Sequence, residues 1–147
     1  MFGQIFSIAN SLAMLGWLAL IIFPHKKLTR IMLHRGIFMA LLGVAYVVFI
    51  VQGFGNGGGF GSIEEVRKLF SSDAALLAGW LHYLAFDLFV GAWITRDARR
   101  VGIPHWAIIL PLLLTFMLGP AGFLVYFLMR LVKLKSFTDE IPHESLD

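Results

Sequence analysis

Four stretches of this chain are apolar enough and long enough to cross a bilayer, and they leave little sequence for anything else. They fall at about 5–23, 31–51, 74–94 and 106–129 of 147 residues. A helix needs roughly 20 apolar residues to span a hydrocarbon core ~30 Å thick. With no water in that core, each span must satisfy its own backbone N–H and C=O groups, and helices do so. The predicted fold is therefore all-α: an integral membrane four-helix bundle, one domain over 1–147, ending in a polar tail at 136–147. Composition agrees, at 59% hydrophobic and 14% charged residues, against roughly 45–50% and 25% in an ordinary soluble domain.

Several function classes drop out. The chain has no cysteine, which removes disulfides, thiolate catalysis and thiolate metal sites. The net charge of +3 does not point to nucleic acid, because the basic residues sit where loops meet membrane. There they serve as positive-inside anchors and contacts for lipid headgroups. No His-x-His or His-x-x-x-His pair occurs, so no metal is expected, and no cofactor either. No Lys or Arg precedes the first span, so a secretory n-region is not expected. The first helix is read as retained, in a bacterial inner membrane or in the mature form of an organellar protein. If all four stretches cross, Lys26, Lys27, Arg30, Arg35, Arg96, Arg99 and Arg100 share one face, and Arg67, Lys68, Arg130, Lys133 and Lys135 the other. Seven against five leans toward both termini on the non-cytoplasmic side.

Between the spans the chain is punctuated clearly. Pro24 follows the first span, and the short link HKKLTR makes spans one and two antiparallel neighbours. After span two comes GFGNGGGFG, at 53–61. It lacks the Gly-Lys-Ser/Thr of a phosphate-binding loop and no strand precedes it, so it reads as a flexible linker. Ser62 with Glu65 forms a capping-box pattern,. Ile63, Val66, Leu69 and Phe70 then recur at helical spacing opposite Glu64, Arg67 and Lys68, as in a short amphipathic helix lying at the interface. Ser72 or Asp73 is placed to cap span three. In span four, Pro120 removes a backbone donor and is expected to leave a kink or an opened turn beside Gly119, Ala121 and Gly122,. No internal repeat is visible, which argues against an inverted-repeat transporter.

Span three carries the chemistry. A carboxylate near the bilayer centre costs roughly 2.5–3.5 kcal/mol on insertion scales and defaults to a functional hypothesis. At 100° per residue, Trp80, Tyr83, Asp87, Gly91 and Ile94 form one stripe, and His82, Phe86, Phe89, Trp93 and Arg96 another,. His82 and Asp87 are thus poorly placed to pair with each other, and each is expected to reach another helix or flank a groove. Asn10 shares the depth of His82. Thr115 and the backbone near Pro120 lie closer to the depth of Asp87, where a protonated carboxyl would donate to a carbonyl. Two readings stay open for these residues: polar contacts between helices, or a functional acid and base. Arg96 and Asp97 read either as an interfacial anchor, with Asp97 paired to Arg99 or Arg100, or as the charged rim of a groove. The aromatic content, 14% with fourteen Phe, suits lipid contact and also a long, flat, apolar ligand.

WLHYLAFDLF and its surroundings resemble the ABA4-like family of small four-span membrane proteins. The matching pieces are FSIANSLAMLGWLALIIFP in span one, KLFSSDAALLAGWLHYLAFDLFVGAWITRDA through span three and LLLTFMLGPAGFLVYFLMR in span four. The most specific part is Trp80-x-His82 with Asp87-Leu88-Phe89. The plant members are needed for neoxanthin formation, so the resemblance implies isomerisation of an epoxy-carotenoid, or a related isoprenoid, to an allene. That chemistry needs an acid at the epoxide oxygen and a base at a vinylic hydrogen in a dry groove. Asp87 and His82 are the candidate pair, in unassigned order, with Arg96 or Asp97 assisting. Trp80, Tyr83, Asn10, Phe86, Trp93, Thr115, Gly119 and Pro120 are the candidate groove. The Gly-rich loop replaces the longer connection expected of a plant member, which fits a bacterial relative. The competing reading is a non-catalytic protein that binds a carotenoid or lipid, or that stabilises a partner membrane protein. A homo-oligomer is compatible with either.

Overall fold

The computed structural model describes residues 1–55 and 57–135. Every regular element among them is helical. The expected polar tail at 136–147 lies outside the described residues. By backbone contacts the chain divides into two compact units, Met1–Phe89 and Val90–Asp147.

In the first unit, α1 (Phe2–Ile22) is apolar throughout and carries no acidic residue in its first turn. It stops at Phe23 and the buried Pro24. The chain turns there because the Thr29 hydroxyl, itself buried, donates to the Phe23 carbonyl at 2.7 Å. A short helix, α2 (Lys27–Thr29), runs directly into one π-helical turn, Arg30–His34, and α3 (Ile37–Phe54) follows. The core is small on one side and bulky on the other. Ala9 and Ala13 of α1 meet Leu42 and Phe49 of α3 and Leu77, Ala78, Leu81, Leu84 and Ala85 of the third long helix. Small residues at such seams let helix backbones approach, which is how apolar helices gain packing energy where lipid is as apolar as the helices themselves.

The link between α3 and the next helices is less free than a Gly-rich run suggests. In α4 (Ile63–Leu69) the Ser62 half of the capping-box pattern forms, with Glu65 N donating to Ser62 Oγ at 3.2 Å,. The Glu65 carboxylate also accepts from Gly61 N at 3.1 Å, and its carbonyl from Gly59 N at 3.3 Å. Phe60 meets Phe54 edge-on at 5.7 Å. The described part of the loop is therefore folded onto α4, because bare glycine N–H groups are sterically open to a single acceptor residue. Leu69 is fully buried. Ser72 caps α5 (Asp73–Arg100) by accepting from Ala75 N at 3.1 Å.

The second unit holds the last turns of α5 and then α6 (His105–Leu118) and α7 (Pro120–Leu134). α5 closes on a Schellman motif, with Ile103 N donating to Ala98 O at 2.8 Å and Gly102 N to Arg99 O at 3.4 Å,. The stretch read as a fourth span over 106–129 is not one helix. Gly119 adopts φ 49° and ψ −97°, which costs a residue without Cβ little. Pro120 then opens a new helix at its first position, where a missing N–H is no loss,. α7 folds back along α6. A Cβ on Gly122 would collide with the Thr115 backbone and hydroxyl and with the Pro111 carbonyl, so only glycine permits this approach. Proline here reverses the chain rather than kinking it. At 14 residues, α6 is about 21 Å long, short of the ~30 Å core. Among the described residues three helical segments are long and apolar enough to cross: Phe2–Ile22, Lys27–Phe54 and Asp73–Arg100.

Candidate functional site

The 28-residue α5 is about 42 Å long, and Asp87 stands near its midpoint. The stripes expected on this helix become two separate side-chain clusters in the first unit. On the α1 side, Trp80 Nε1 donates to Asn10 Oδ1 at 3.1 Å, and Asn10 Nδ2 donates to the Phe6 carbonyl at 2.8 Å. Asn10 is thereby used at both ends of its amide, with Trp80 rather than His82 as its interhelical partner. The Trp80 ring lies between those of Phe6, at 5.4 Å, and Tyr83, at 5.3 Å. One turn on, the Tyr83 hydroxyl hydrogen-bonds the Asp87 carboxylate. Asp87 Oδ2 is buried and has no hydrogen-bond partner among the described residues. A cleft of about 400 Å³ opens between α1 and α5, lined by Phe2, Gly3, Phe6, Asp73, Leu76, Leu77 and Trp80.

On the α3 side, His82 stacks on Phe86 with ring centroids 4.5 Å apart and lies 5.6 Å from Tyr46. His82 is exposed on the bundle surface. Helical spacing separates the two residues as expected, and Asp87 finds its donor on its own helix.

The remaining candidates fall in the second unit. Trp93 packs against Phe123 at 5.8 Å and edge-on to Tyr126 at 5.5 Å. Thr115 is fully buried and donates to the Pro111 carbonyl at 2.8 Å. Gly119 and Pro120 form the reversal already described. Asp97 is 5% exposed, so its carboxylate is no open rim, and Arg99 and Arg100 are not its partners. Its Oδ2 accepts from Tyr126 Oη at 2.7 Å and from Arg130 Nε at 2.8 Å. Arg96, one position earlier, is half-buried. Among the described residues no group of His, Asp or Glu is arranged to hold a metal ion.

Sequence reasoning missed Phe6, Tyr46, Tyr126 and Arg130. Phe6 had a signal, since it stands one turn before Asn10 on α1. Arg130 had none: it is 33 residues from Asp97, and only the hairpin brings it back.

Long apolar helices joined by short interfacial turns define a polytopic helical membrane protein. The chain belongs to the ABA4-like, or ABA DEFICIENT 4-like, family, whose model matches residues 4–126. No curated protein and no solved structure matches it.

Proposed function

We propose that the first unit binds a long, flat isoprenoid, a carotenoid or a relative of one, within a bacterial inner membrane, and isomerises it without a cofactor. The observation that carries this reading is the buried, partnerless Asp87 Oδ2 beside a rail of aromatic rings. Satisfied structural carboxylates do not leave a buried oxygen open, and a base needs one. The rings of Phe6, Trp80 and Tyr83 offer flat apolar faces to a polyene, and the cleft beside Trp80 admits it from the side. Asp87 takes a vinylic proton while a second group protonates the epoxide oxygen as its C–O bond breaks. One proton leaves carbon and one reaches oxygen, so the product is an isomer and no oxidant is consumed. His82 is the acid favoured by the family resemblance. The Tyr83 hydroxyl is the donor nearest to Asp87.

Separation of His82 and Asp87 into two ring clusters favours a second reading, a pigment- or lipid-binding protein without turnover. Purified protein incubated with epoxy-carotenoids and analysed by chromatography separates the two. Catalysis predicts an isomer formed by the parent chain and lost in Asp87→Asn, with His82→Ala and Tyr83→Phe reporting which residue supplies the proton. Pigment that co-purifies unchanged supports binding alone. Neither product nor retained pigment would sink both readings.

A further inference from the structure

We infer that the protein lies in its membrane with the Phe2 end of α1 on the non-cytoplasmic side and Lys135 on the cytoplasmic side, because α6 and α7 are a re-entrant hairpin and not a crossing. Tyr126 and Arg130 of α7 both reach Asp97 near the end of α5, and Lys133 lies beside Gly102 in the α5–α6 turn. α7 therefore ends on the same face of the membrane as α5 does. The reversal at Gly119 and the ~21 Å length of α6 say the same, since a 14-residue helix stops inside a ~30 Å core.

This changes the charge count. Three crossings by α1, by Lys27–Phe54 and by α5 put the link after α1 and the end of α5 on one face. Arg130, Lys133 and Lys135 now join Lys26, Lys27, Arg30, Arg35, Arg96, Arg99 and Arg100 there. Only Arg67 and Lys68 remain on the other, so ten of the chain's twelve Lys and Arg share a face. Setting aside Arg130, which is spent on Asp97, nine face two. Basic residues in short loops near span ends determine orientation, and a weak lean becomes a strong bias. The same side chains meet the anionic headgroups of the cytoplasmic leaflet, where each basic residue near the surface is attracted to them.

The absence of cysteine makes a clean test. Single cysteines are placed at exposed positions of the full chain: Lys26→Cys and Lys133→Cys on the inferred cytoplasmic face, Ser71→Cys on the other. Arg99→Cys and Arg67→Cys serve as second reporters. Intact bacterial cells expressing each variant are treated with a membrane-impermeant maleimide, before and after permeabilisation. The expected result is labelling of Ser71→Cys and Arg67→Cys from outside, and of the others only after permeabilisation. Labelling of Lys133→Cys from outside together with Ser71→Cys would restore a fourth crossing and overturn the inference. So would the reversed pattern, in which the hairpin stands but the orientation is inverted.

Discussion

Two carboxylates on α5 behave in opposite ways. In the second unit Asp97 is buried, and a single oxygen takes a tyrosine hydroxyl and an arginine N–H within 2.8 Å. In the first unit Asp87 is half-buried and shares Tyr83 from its own helix, while its Oδ2 stays buried with no partner among the described residues. Asp97 is what an intramembrane charge looks like when it holds a structure together: its countercharge comes from far along the chain and closes a hairpin. Among the described residues Asp87 has no such long-range partner, and its Oδ2 accepts no hydrogen bond. The difference identifies Asp87 as the residue to test for chemistry and Asp97 as the one to test for folding.

The largest expected effect tests the structural half of this comparison. Arg130→Met leaves Asp97 buried without its countercharge and should lower stability by about 3–5 kcal/mol, read as thermal unfolding in detergent. The double variant Asp97→Leu/Arg130→Met should recover most of that loss, since an apolar pair of similar volume removes the stranded charge. If the single change is harmless, Asp97 is not a clasp. A middle-sized effect is expected from Gly122→Leu, which forces α7 away from Thr115 and Pro111 at about 1–3 kcal/mol. Heat stability equal to the parent would mean that the close helix approach is dispensable. The smallest effect should come from Asp87→Asn, which keeps an oxygen for Tyr83 and should shift stability by about 1 kcal/mol or less while abolishing any turnover or altering pigment binding. A loss as large as that of Arg130→Met would erase the contrast between the two residues.

Much of the fold is legible in the sequence. Hydropathy locates the long helices, the Ser62–Glu65 pattern locates the cap of α4, and Ser72 and Asp73 offer two candidate caps for α5, of which Ser72 is the one used. The Trp80, Tyr83, Asp87 stripe follows from helical periodicity alone, because neighbours at three and four residues share a face whatever surrounds them. What escaped was set by tertiary approach. Gly119-Pro120 is compatible with a kink or with a reversal, and the deciding fact, the collision that any Cβ on Gly122 would cause, involves a surface seven residues upstream in sequence. Asp97 has basic residues at two and three positions along its own helix, and these are the natural local partners. Both point to water, and the hairpin delivers Arg130 instead. Depth in the membrane pairs Asn10 with His82, but depth does not say which way a side chain faces, and Trp80 lies on the facing stripe.

The short α6 has a consequence for the surrounding lipid. Its tip at Gly119 stops ~9 Å short of the far boundary of a ~30 Å core. In the re-entrant arrangement inferred above, the leaflet from which α6 enters meets the hairpin throughout its depth, and the opposite leaflet meets only its tip,. Acyl chains of that opposite leaflet must fill the space beyond the tip, or the bilayer must thin toward it, at a fraction of a kcal/mol per ångström of hydrophobic mismatch. Lipids on the two sides of the membrane thus experience this protein as two different solutes, and membrane thickness becomes a variable to which its hairpin responds.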